Sequence, residues 1–63
     1  MNPDQTLIQS AYADAIKGLY ATLFNGYIQA GGDAAQEQQV DQHFMRGVEL
    51  ARSSRDRAIA LLA

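Results

Sequence analysis

The segment Ala30-Gly31-Gly32-Asp33-Ala34-Ala35-Gln36 decides the fold. An apolar periodic run stops at Ala30. Two glycines follow that can take the left-handed conformation closing a helix. Asp33 then stands where a helix N-cap belongs, with Gln36 three residues on in the spacing of a capping box. A stop and a start this close together predict two helices folded back on each other.

Upstream, Asn2-Pro3 reads as an N-cap followed by proline at the first helical position. Apolar residues then arrive in adjacent pairs every four positions: Leu7/Ile8, Ala11/Tyr12, Ala15/Ile16, Leu19/Tyr20, Leu23/Phe24 and Tyr27/Ile28. A strand would alternate with a period of two; this pattern is helical. Downstream, Val40, Phe44, Val48, Ala51, Ile59 and Leu62 recur at helical spacing, with Gly47 and Ala58 at the edge of the stripe. Asp33, Glu37 and Asp41 lie near the start of this segment and Arg52, Arg55 and Arg57 toward its end, as the helix dipole favours. The expectation is an all-α, antiparallel two-helix hairpin forming one domain over 1–63. Helix 1 should run over about 3–30, the turn over 31–33 and helix 2 over about 34–62, each helix roughly 40 Å long. Asn25-Gly26 could end the first helix early, and Ser53-Ser54 could interrupt the second.

Size and composition bear on function. A chain of 63 residues recovers little more from apolar burial than it loses in conformational entropy. With no cysteine, neither disulfides nor thiolate zinc can make up the difference, and one histidine supplies little for a metal. Self-association is the remaining route, so pairing into a four-helix bundle is expected. The net charge of −2 offers no general attraction to nucleic acid or anionic membrane. No stretch approaches the ~20 apolar residues of a membrane helix. Met1-Asn2-Pro3-Asp4 has neither the basic start nor the apolar run of a secretory signal, which leaves the cytoplasm as the expected location.

The four-residue step of the apolar pairs carries a further consequence. Each pair sits about 40° further round the helix, so six pairs sweep the apolar surface through about 200°. One facing helix covers a stripe of little over 100°. Tyr20, Phe24, Tyr27 and Ile28 should therefore emerge near the turn on a side the hairpin leaves open. Leu50 and Leu61 form a thinner stripe on the back of the second helix. Exposed aromatic surface of this kind marks an interface. The small residues Ala11, Ala15, Gly18, Gly47, Ala51 and Ala58 read as close-packing geometry.

Candidate chemistry is sparse. Asp33, Glu37 and Asp41 share a face, but three carboxylates on one helix lack the convergent donors a metal needs, and read as a solvated acidic face. His43 reads as a structural partner for Tyr20 across the hairpin. No serine or threonine has a context for activation, and a two-helix hairpin has no pocket of its own. No catalytic, cofactor or metal site is expected. The arginines form no continuous basic stripe. Arg55 falls at the centre of the apolar stripe, where a guanidinium needs a partner; Asp4 or the Tyr12 hydroxyl should supply one, pinning the open end.

The segment Phe44-Met45-Arg46-Gly47-Val48-Glu49-Leu50-Ala51-Arg52 resembles part of the second helix of exonuclease VII small subunits. That resemblance implies a helical hairpin without catalytic residues that binds a large nuclease subunit. It covers under a third of the chain. The first helix lacks that family's acidic, leucine-rich pattern, and the turn lacks its Leu-Pro-Leu element. In architecture alone the hairpin is similar to the plasmid copy-control protein that dimerises into a four-helix bundle, and to the small chaperones of secretion needles. The leading expectation is a non-enzymatic interaction module that self-associates or docks on a larger protein. The rival is an accessory small subunit of a nucleic-acid enzyme, or an RNA-binding bundle. An enzyme with a shared carboxylate metal site ranks third.

Overall fold

The computed structural model describes residues 2–63; Met1, part of the single domain read from the sequence, lies outside them. Two helices, α1 (Pro3–Ala30) and α2 (Ala34–Leu62), lie antiparallel in a rod of 45 × 15 × 10 Å. Its radius of gyration is 14.7 Å, against about 10.6 Å for a compact domain of this length.

The helix ends follow from local chemistry. Asn2 is extended, and its side-chain oxygen accepts from the Asp4 N–H at 2.8 Å. Pro3 begins the helix where its missing N–H costs nothing. Gly31 (φ 58°) and Gly32 (φ 87°) both sit in the left-handed region, and the Gly31 N–H donates to the Tyr27 carbonyl. The Asp33 carboxylate accepts from the Gln36 N–H at 2.9 Å. Only this half of the capping box forms, because the Asp33 N–H already donates to the Ala30 carbonyl at 3.0 Å. Asp33→Ala should cost about 1 kcal/mol of stability, against a few tenths for Asp33→Gly; chemical denaturation would measure both.

Neither helix breaks. Gly26 lies inside α1 beneath Val40, where an added Cβ would come within 2.7 Å of a Val40 methyl. This glycine serves close approach, not a turn. Ser53 is accommodated inside α2 by donating its hydroxyl to the Glu49 carbonyl at 3.2 Å.

The seam between the helices selects one member of each apolar pair. Ile8, Tyr12 and Ile16 are the half-buried members along the first half of α1, and Leu19 and Leu23 along the second. The changeover from second to first member follows from the 40° drift of the pairs. Gly26 and Ala30 continue the line to the turn. From α2 come Val40, Phe44, Gly47, Val48, Ala51, Arg55, Ala58 and Ile59. Leu62, expected in the stripe, is exposed: it is the last residue of α2, and α1 offers only its first turn at that level. Ala30 alone of the described residues counts as buried. The hairpin has a seam but no closed core.

Candidate interaction surface

The six side chains expected to form an interface are all exposed, and Leu50 and Leu61, expected as a separate stripe on the second helix, lie apart from the aromatic ones. Tyr20 and Ile28 are each 62% exposed, Phe24 54%, and Tyr27, Leu50 and Leu61 are also in solvent. Tyr20, Phe24 and Tyr27 follow one another by four and three residues along one flank of α1. The Tyr27 hydroxyl donates to the Asp41 carboxylate and so fixes which flank of α2 lies beside them. Met45, one turn beyond Asp41, extends this patch and is 61% exposed. Ile28 lies further round, toward the back of α1.

Leu50 belongs to the opposite side, where it lines a shallow groove of about 390 Å³ with Ala11, Ala15 and Ser54. Leu61 lies eleven residues beyond Leu50, about 20° from the same azimuth. His43 lines a second groove on that side, of about 420 Å³, together with Thr22 and Gln39. His43 and Tyr20 therefore flank the seam on opposite sides, and the pair expected between them does not form. His43 follows Asp41 by two residues, about 200° of helical rotation, so it cannot share Asp41's side.

Arg55 occupies the seam as expected, with its side chain 25% exposed, but it is held differently. Its Cζ stacks 4.4 Å from the centroid of the Tyr12 ring, while Nε donates to Asp56 at 2.9 Å. Asp4 is not its partner. The guanidinium lies over the Tyr12 ring, with the Tyr12 hydroxyl a smaller favourable contribution, and its adjacent Asp56 supplies the countercharge. The hydrogen bond to Asp56 is the main cause raising the Arg55 pKa above its usual value. The long side chain thus packs its planar head on an aromatic ring within the seam.

Two features of this patch, the bond to Asp41 and the presence of Met45, were not apparent from the sequence. The bond between Tyr27 and Asp41 depends on the register of the two helices, which spacing within one helix does not give. Met45 falls one position off the apolar stripe of α2, and only its distance of four from Asp41 places it here. The Asp41 hydrogen bond, with smaller contributions from desolvation and from the Asp41 and Glu37 charges, raises the Tyr27 pKa above 10.0. The neutral hydroxyl is the form that folding favours. Its contribution is complete below pH 10 and is lost as pH rises through the folded value. Ultraviolet titration in a Tyr12→Phe/Tyr20→Phe background should show Tyr27 ionising late, and Asp41→Asn should bring the transition earlier.

Among the described residues, no three His, Asp or Glu side chains converge on a possible metal position. Asp33 is occupied as a cap and Asp41 by Tyr27. Neither helix is long and apolar enough to cross a membrane. In comparisons with known proteins, no family model, no curated protein and no solved structure matches the chain.

Proposed function

We propose that this chain is a non-enzymatic interaction module that associates with itself, or docks on a larger protein, through the helix faces flanking its seam. A four-helix bundle built from two hairpins is the assembly that suits it best. The observation carrying this reading is the chain's surplus of surface. It exposes 4759 Å² at a mass of 6.9 kDa, whereas a compact monomer of that mass exposes about 4,000 Å². The surplus of roughly 750 Å² is close to the ~800 Å² that each partner contributes to a standard interface. Its composition points the same way, since Tyr20, Phe24 and Met45 are the residue types enriched at interface centres.

Coupling between folding and association is the expected signature. Thermal melts followed by circular dichroism should shift upward as protein concentration rises through the micromolar range. A midpoint independent of concentration over a hundredfold range would refute self-association. Docking on a larger protein would then be the form of the reading left to test.

A further inference from the structure

The flank bearing Tyr20, Phe24 and Tyr27 has a property that association alone does not require: apart from Tyr27, its large residues are arranged symmetrically about a point. On α2 this flank presents Asp41, Met45, Val48 and Arg52. The spacing is four, three and four, with an acid at one end and a base at the other. Asp41 and Arg52 are eleven residues apart, which returns them to within about 20° of one azimuth and separates them by about 16 Å. The midpoint of the set falls between Arg46 and Gly47. On α1 the matching set is Ile16, half-buried at the edge of the seam, with the exposed Tyr20 and Phe24, and its midpoint is at Tyr20; Tyr27 has only Ala13 as its counterpart. The two midpoints lie at one level of the rod. Gly26 packs against Val40 and Gly47 against Leu19, which sets Tyr20 beside positions 46 and 47.

A two-fold axis through that level would superpose each set on itself. Two-fold interfaces have this requirement, that residue i meets j and j meets i. We propose that a second copy of the chain seats on this face with its turn over the open end of the first, so that Asp41 of each copy meets Arg52 of the other. The inference rests on the self-associating form of the proposed function.

The remaining contacts follow from the same axis. Tyr20 meets its own counterpart, Phe24 lies over Ile16 of the second copy, and Met45 lies over Val48. Each is a large apolar group over an apolar neighbour. The charges also agree. Arg52 pairs with no carboxylate within its own chain among the described residues. Asp41 uses one carboxylate oxygen for the Tyr27 hydroxyl and keeps the other. The same axis brings Glu37 to the level of Asp56 of the second copy and Asp33 to that of Ala60, so the charge match of this face rests on the two Asp41–Arg52 pairs. The surplus surface is what one such face would cover. The grooved face opposite, with Leu50 and Leu61, remains outside this dimer.

Charge reversal tests the pairing. Asp41→Arg and Arg52→Asp each place two like-charged pairs in the dimer, and each should raise its dissociation constant roughly tenfold. Mixing the two single variants restores both pairs, so heterodimers should dominate over either homodimer in native mass spectrometry. The double variant Asp41→Arg/Arg52→Asp should recover the parent's constant to within about threefold. If the parent dimerises but the singles dimerise equally well and mix at random, this pairing is overturned while self-association stands. If the parent is monomeric throughout, both fall.

Discussion

Replacing Gly26 by leucine is expected to lower the stability of the hairpin by about 2–3 kcal/mol, the cost of forcing a large side chain into a filled seam. Helix propensity alone predicts the opposite sign, a gain approaching ~1 kcal/mol for removing a mid-helix glycine. Packing should win because the opposing group cannot move. An added Cβ would meet both γ-methyls of Val40 within 3 Å, and a β-branched side chain in a helix has one strongly preferred rotamer. Gly47 offers the contrast. Its Cβ would meet the far end of Leu19, which can rotate aside. Gly47→Ala should therefore be close to neutral or mildly stabilising. Denaturant melts would compare the two sites, and adding Val40→Ala to Gly26→Leu should recover much of the loss. Equal tolerance at both glycines would mean that the seam is looser than described.

The second large effect concerns assembly. Phe24→Asp removes an exposed ring from the proposed interface in both copies. Burying one such ring is worth about 1.5–3 kcal/mol, so the dimer's dissociation constant should rise by at least ~100-fold. Because folding and association are coupled, this variant should lose helicity at concentrations where the parent is still dimeric, although Phe24 itself lies outside the seam. Tyr12→Ala should show the reverse. It removes the ring beneath Arg55 and so weakens the hairpin itself, with a smaller effect on association once the chain is folded. Leu50→Asp, on the other face, should leave the dimer's constant nearly unchanged. Sedimentation velocity across a dilution series would rank the three. If Leu50→Asp dissociated the dimer and Phe24→Asp did not, the faces would have been assigned the wrong way round.

What the sequence makes legible here is mostly local. Pro3, Gly31-Gly32 and Asp33 act within a few residues of themselves, and both helix bounds follow from them. Arg55 could be placed in the stripe by angle alone. Its actual partners could not, since Asp4 was accessible only through an assumed register and the Tyr12 ring face competes with its hydroxyl. Gly26 was ambiguous for a related reason: a glycine that permits close approach and one that permits a turn look alike until the facing Val40 is known. The drift of apolar pairs along α1 does foretell exposed aromatics near the turn. It does not foretell that Leu50 and Leu61 lie on the other side of the rod, which depends on where each helix's seam falls.

The central claim is that the hairpin is half of an assembly, and sedimentation equilibrium at micromolar concentration tests it most directly. The account predicts a mass twice the 6.9 kDa of the chain, declining toward the single-chain value on dilution with a parallel loss of helicity. A single-chain mass at every concentration, with helicity undiminished, would contradict it.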